Sequence, residues 1–277
     1  MLRIDTHQHF WIFDPIRDNW IDEAMADIRR DFSPQDLEPV LKKHLFEGCI
    51  SVQASQTEQE NEFLIQLAKK NTIVKGIVGW VDLRAVDLEE KLQEYKNNPL
   101  IKGFRHVLQG ETNRALILAP DFMLGLNLLN KYGFTYDVLI FPDQLKYFVE
   151  FLKTTEPIAM VLDHIAKPNI KTGNIIDWKK DIEQLAVFEN VYCKVSGMVT
   201  EADWQNFKYR DFEPYLDVVF NTFGINRLMF GSDWPVCNVA GGYDKMLSIV
   251  TTYTSKLSQT EQEKFWGGNA LQFYKIS

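Results

Sequence analysis

The hydrophobic and polar positions of this chain repeat one pattern eight times: a short β-branched or apolar run, a few turn residues, then apolar positions three and four apart. The first run, residues 3–11, is followed by others at 48–54, 73–83, 101–108, 134–140, 158–165, 191–196 and 227–233. Helical spacing follows each of them. Leu88, Leu92 and Tyr95 lie behind a cap at Asp87, and Phe122, Leu126 and Leu129 end at Gly133. Leu145, Phe148, Val149 and Leu152 form a third such face, Trp178, Ile182 and Leu185 a fourth, and Phe212, Tyr215, Leu216 and Val219 a fifth. An eighth helix is expected over 243–256. Ser33-Pro34 and Thr57 with Glu60 mark two helix starts, and Ser258 with Glu261 opens a last helix, expected to pack outside.

Eight alternating units, with strands apolar enough to be buried on both faces, predict a closed parallel (β/α)8 TIM barrel. A doubly wound open sheet should show a glycine-rich phosphate turn after an early strand, whereas the first strand here runs into His7-Gln8-His9. No linker, charge block or low-complexity segment divides the chain, so residues 1–277 read as one domain. The connection 11–31 is long and carries Trp11, Phe13, Trp20 and Ile21, too aromatic for a free linker, and predicts a flap over the site.

A net charge of −8 disfavours nucleic acid and anionic membranes as partners and points to a small-molecule substrate. The N-terminal residues lack the features of a signal peptide, and no apolar run has the length of a membrane span. Cys49, Cys193 and Cys237 are odd in number and widely spaced, as expected of reduced thiols in a cytoplasmic protein. The number of subunits is left open.

Successive side chains of a strand point to opposite faces, so His7 and His9 share one and converge. Such a pair can hold a divalent metal or donate hydrogen bonds to one carbonyl oxygen, although a lone His-x-His also occurs on ordinary surface strands. In parallel barrels catalytic side chains come from the C-terminal strand ends. His7 and His9 fall there on strand one, Arg105 and His106 on strand four, His164 on strand six, Lys194 and Ser196 on strand seven, and Asp233 on strand eight. Four of the five histidines thus meet in one place, and His44 is expected to face solvent without a partner. Arg105 and His106 must face opposite ways; His106 is taken as the inward one, leaving Arg105 to pair with a carboxylate outside the barrel. Gln53, Trp80 and Trp234 read as substrate contacts or as packing, Asp233 as a base or a turn cap, and His164 as a site residue or a core histidine.

His7-Gln8-His9, Gly103-Phe104-Arg105-His106, Asp163-His164-Ile165-Ala166-Lys167-Pro168 and Gly231-Ser232-Asp233-Trp234-Pro235 stand in this order along the chain. Together they resemble the amidohydrolase superfamily, and within it the branch that opens sugar-acid lactones. The likeness extends to Gly267-Gly268-Asn269-Ala270, essentially the whole chain. It implies a distorted barrel with a hydrolytic site at its mouth, acting on a lactone of the L-fucono or L-rhamnono type. Asp233 would activate water, with His164 and His106 as further catalytic groups and Gln53, Trp80, Arg105, Lys194 and Trp234 holding substrate. A single divalent metal, zinc, would be held by His7, His9 and Asp233 with His164 nearby, or the histidines would polarise the carbonyl without one. Residues 134–138 on strand five offer no histidine, and strand four offers no bridging lysine or carboxylate, so a two-metal centre is not expected. Metal-dependent decarboxylation of an aromatic or small carboxylic acid is the alternative, against which stands the shortage of site cations. A barrel that only binds would have no need of Asp233.

Overall fold

In the computed structural model, which describes residues 1–276, the apolar runs pair side by side in chain order as one eight-stranded parallel sheet. The strands are β1 (Ile4–Gln8), β2 (Gly48–Val52), β3 (Val74–Gly79), β4 (Ile101–His106), β5 (Thr135–Val138), β6 (Met160–Leu162), β7 (Val191–Val195) and β8 (Leu228–Phe230). Between and after them run α1 (Pro34–Lys43), α2 (Glu58–Lys70), α3 (Leu88–Lys96), α4 (Pro120–Tyr132), α5 (Leu145–Thr154), α6 (Ile176–Leu185), α7 (Tyr209–Phe223), α8 (Gly242–Thr254), α9 (Gln259–Glu263) and α10 (Asn269–Phe273). The ring closes just past the end of β8. There Asp233 N donates to His7 O at 2.8 Å and His9 N donates to Trp234 O at 2.7 Å. This is the expected (β/α)8 barrel. Its distortion shows in register shifts between β1 and β2, β2 and β3, and β3 and β4.

Helix starts follow local chemistry. Asp36 accepts from Ser33 N at 2.9 Å and Ser33 Oγ at 2.6 Å, closing a box at the head of α1 with Pro34 in the first turn. At α2 the box is only half made. Thr57 Oγ1 accepts from Glu60 N, but the Glu60 carboxylate reaches back to Ala54 N and Ser55 N, tying down the loop that leaves β2.

Several strands stop earlier than the apolar runs. Val81 and Leu83 are buried beyond the end of β3, and apolar residues in a buried loop carry the same signature as strand. The sixth run breaks at Leu162, after which His164, Ile165, Ala166 and Lys167 all take positive φ, from 49 to 59°.

Nor does the last helix simply pack outside. Ala270, Phe273 and Tyr274 join Ile4, Ile50, Val78, Val161 and Met229 in a cluster that fills the N-terminal end of the barrel. Each large apolar side chain so buried is worth about 1.5–3 kcal/mol. The Tyr274 hydroxyl continues upward to the Asp137 carboxylate, 3.0 Å away.

His44 also departs from expectation. Its Nε2 lies 2.6 Å from Asp244 Oδ1 and its ring stacks on Tyr243, joining α1 to α8. The partner is 200 residues away, beyond the reach of any local pattern. The 11–31 connection forms the expected flap: Trp11 pairs with Phe32 through backbone bonds of 3.1 and 2.9 Å, Ile21 and Ile28 are buried, and Trp20 stands edge-on to Trp11. All three cysteines are free and buried, and among the described residues no helix is long and apolar enough to cross a membrane.

Candidate active site

The closure of the ring places the first and last strands' side chains together. Asp5 is fully buried, and its Oδ1 accepts from His7 N at 3.2 Å and Ser232 N at 2.9 Å, clamping β1 to the segment after β8. His7 and His9 then point into the mouth with ring centroids 5.0 Å apart, as the spacing predicts. Asp233 sits opposite at a φ of 59°. Its Oδ1 lies 3.4 Å from His9 Nε2, 3.8 Å from His164 Nε2 and 3.9 Å from His7 Nε2.

His164 reaches this ring because the backbone reverses. Strand alternation would turn it away from Asp163, but the left-handed turn swings it back, so both neighbours point inward. Two glycines make room. A Cβ on Gly197, itself at φ 61°, would lie 2.4 Å from His164 Nδ1, and one on Gly231 would lie 2.6 Å from His7 Cβ.

Beneath the ring lies a buried charge network. Lys194, fully buried, donates to Asp137 and sits 3.1 Å from Asp163 Oδ1 and 3.3 Å from His7 Nδ1. Arg105 Nη1 lies 3.2 Å from both Asp163 Oδ2 and His7 Nε2, while its Nε and Nη2 donate to the Gln53 side chain and backbone carbonyl. All five N–H donors of Arg105 are thereby used.

The charges follow from these contacts. Burial pushes the Asp163 carboxyl up, but Lys194, His7 and Arg105 outweigh it and hold it well below the usual range. For Asp137 burial wins over Lys194, with the Asp163 charge adding to the rise. Burial lowers His7 well below an ordinary imidazole and takes His164 to about 4, so both are neutral at pH 7. At Asp233 burial is outweighed by His164, His9 and His7, so the carboxylate stays ionised.

The proton positions are legible for two rings. His9 Nδ1 donates to Val52 O at 2.8 Å, which turns Nε2 toward Asp233. Arg105 can only donate to His7 Nε2, so the His7 proton is on Nδ1, facing Asp163. Lone pairs and a carboxylate oxygen therefore converge, an arrangement that needs a proton or a cation among them. The donor atoms of His7, His164 and Asp233 lie within 4.8 Å of one another. Separations of 3.4–3.9 Å around Asp233 approach the edge of a tetrahedron drawn about zinc, about 3.3 Å for bonds of about 2.0–2.1 Å. The residues fit one such ion, with His164 as close to the centre as His7.

Above the ring a cavity of about 450 Å³ is walled by Trp11 and Trp20 of the flap, Gln109, Leu139, Lys167 and Val236, with His9, Arg105, His164 and Asp233 at its base. Lys167 Nζ is paired with Glu201 at 3.0 Å.

Several expected roles are redistributed. Arg105, not His106, faces the interior. His106 lies outside the barrel against Phe122 of α4, its Nε2 bonded to Glu111 at 2.7 Å and its Nδ1 accepting from Trp80 Nε1 at 3.4 Å. Asp163, whose Oδ2 lies 3.2 Å from Arg105 Nη1, draws the arginine in, reversing the expectation. Trp80 accompanies His106 and is absent from the cavity wall. Lys194 and Gln53 are buried beneath or beside the cavity, one in the charge network and one anchoring Arg105. Trp234 packs on Phe10 and Phe32 behind Asp233, and Ser196 supports His164 Nδ1 at 2.9 Å. Asp163, Asp137, Lys167 and Trp11 were not among the expected site residues. Asp163 and Lys167 lie within the Asp163–Pro168 motif, where the histidine carries the stronger chemical signal, and β5, which offers no histidine, carries Asp137.

A parallel barrel that gathers histidines and an aspartate at its closing seam can host metal-assisted chemistry, and this chain belongs to the amidohydrolase family, which it matches over residues 4–276. It is 38% identical to an L-fucono-1,5-lactonase from Burkholderia multivorans, over 99% of this chain and 96% of the relative. A second L-fucono-1,5-lactonase, from Burkholderia ambifaria, is 33% identical with the same shares covered. The crystal structure of an amidohydrolase from Burkholderia multivorans with bound zinc superposes with a TM-score of 0.96 at 38% identity, covering the whole of both chains.

Proposed function

We propose that this enzyme hydrolyses a sugar-acid lactone, with L-fucono-1,5-lactone the first candidate. One observation carries the reading: an ionised Asp233 at the base of a sugar-sized cavity, ringed by the Nε2 atoms of His7, His9 and His164. Full-length similarity to two L-fucono-1,5-lactonases supports the substrate class.

Lactone opening needs an oriented water, stabilisation of the oxyanion and a proton for the departing ring oxygen. Asp233 accepts a hydrogen bond from the water, takes its proton at the carboxylate and returns it to the ring oxygen. Val52 O, Asp163 and Ser196 hold the three imidazoles, so the ring nitrogens that face Asp233 are fixed before substrate arrives. A zinc ion, held by His7, His164 and Asp233 with His9 alongside, would supply Lewis acidity and lower the pKa of water toward ~7. The flap tryptophans offer the apolar face on which a sugar ring rests, and Gln109 and Lys167 are placed for its hydroxyls.

Decarboxylation fits less well. A carboxylate substrate needs a free cation, and Arg105 has spent its donors, Lys194 lies under the site, and Arg17 and Lys167 on the cavity wall are paired with Asp18 and Glu201.

A pH-indicator assay against a panel of aldonolactones, run as isolated and after chelation, tests the proposal. Acid release on L-fucono- or L-rhamnono-type lactones is expected. No release from any lactone overturns it and turns attention to aromatic carboxylates.

A further inference from the structure

We propose that Asp163 is a positioning residue that fixes His7 in one tautomer, with the proton on Nδ1 and the Nε2 lone pair, shared with Arg105 Nη1, on the side of the reaction centre. The His7 ring is gripped at both nitrogens. On one side Nδ1 lies 3.2 Å from Asp163 Oδ1, an atom that only accepts. On the other, Nε2 lies 3.2 Å from Arg105 Nη1, an atom that only donates. Flipping the tautomer would set N–H against N–H at Arg105 and a lone pair against a carboxylate at Asp163. Both contacts would turn repulsive in a site with no solvent: His7 and Asp163 are both fully buried.

A rival donor stands beside Asp163. Lys194 Nζ is 3.3 Å from the same His7 Nδ1, and without an acceptor there it would donate to that nitrogen and drive the proton to Nε2. Asp163 prevents this together with Asp137: Lys194 donates to Asp137 and is drawn to Asp163 Oδ1 at 3.1 Å, while Asp163 Oδ2 holds Arg105 at 3.2 Å. One carboxylate thus orients the imidazole directly, engages the lysine that would invert it, and anchors the guanidinium that holds its far side. The left-handed turn that follows lets the next residue, His164, face the same centre.

The kinetic arm of the test rests on the lactonase reading; the spectroscopic arm does not. Long-range 1H–15N correlation of the five histidine rings in the wild-type protein should show His7 protonated at Nδ1 and bare at Nε2. In Asp163→Asn the uncharged amide no longer holds Lys194, and His7 should shift to the Nε2–H form or a mixture. Zinc affinity, measured by competition with a chromophoric chelator, should fall ~10–100-fold, and kcat by a similar factor at nearly constant KM. A wild-type His7 protonated at Nε2 overturns the proposal, as does an Asp163→Asn protein with the wild-type tautomer and zinc affinity. The wild-type spectrum decides the tautomer even if the variant fails to fold. A protein with the stated tautomer that opens no lactone would sink the assigned activity and leave the role of Asp163 standing.

Discussion

Replacing Lys194 with methionine keeps the length of the side chain and removes a positive charge from the centre of the barrel. Lys194 is fully buried and contacts two carboxylates, Asp137 and Asp163. Without it Asp137 keeps only the Tyr274 hydroxyl, and Asp163 keeps His7 and Arg105. Breaking a buried ion pair from one side costs about 3–5 kcal/mol, since the remaining charge is stranded. For a chain of this length the unfolding entropy is roughly 0.6 kcal/mol per degree, so the melting temperature should fall by about 5–9 °C. The sign of the pH dependence is also set. Burial already raises the Asp137 carboxyl above its unfolded value, and losing Lys194 raises it further. A carboxyl raised on folding destabilises above its folded pKa, and that penalty fades as pH falls toward the unfolded value of about 3.9. Urea melts should therefore show a larger deficit at pH 8 than at pH 5, and adding Asp137→Asn should recover part of it. A deficit below about 1 kcal/mol, or one independent of pH, would refute the reasoning. So would unchanged stability with a raised KM, which would return Lys194 to substrate binding.

Asp233→Asn should lower kcat by ~10³-fold or more while the melting temperature moves little, and an active, folded variant would remove the proposed base. His7→Ala and His9→Ala should each impair lactone turnover far more than His44→Ala, whose contacts lie at Asp244 and Tyr243 on the outside of the barrel; equal losses would contradict the placement. Gly197→Ala brings a methyl group to 2.4 Å from His164 Nδ1 at a left-handed position, and should cost about 1–3 kcal/mol in a urea melt together with most of the activity. Wild-type kinetics in that variant would show that His164 is not needed where it stands.

The barrel was legible because its signal is local and repeated: each strand and each helical face can be read within about a dozen residues. His7, His9, His164 and Asp233 were legible because parallel barrels gather strand ends at one mouth. What the sequence hid depends on departures from regular geometry or on distant partners. Strict alternation puts His164 and Asp163 on opposite faces, and only the left-handed turn after Leu162 lets both point inward. Alternation also says that one of Arg105 and His106 faces in without saying which; that choice is made by Asp163, 58 residues further on. Lys194 reads as a mouth residue until the contact with Asp137 lowers it into the charge network. The last helix reads as packing outside until α10 brings Ala270 and Phe273, with Tyr274 after them, under the barrel.

The seam between the two ends of the chain has a consequence for how this protein becomes competent. Asp5 and Ser232 are 227 residues apart, yet the bond between them joins the segments that carry His7 and Asp233. An open or half-built ring can bury much of its apolar surface and still lack a base beside its histidines. Turnover is thus a reporter of ring closure itself: during refolding, activity should return only with the slowest long-range pairing, after helical content has largely recovered. Two complementary fragments should be silent apart and regain catalysis only when they anneal along that join.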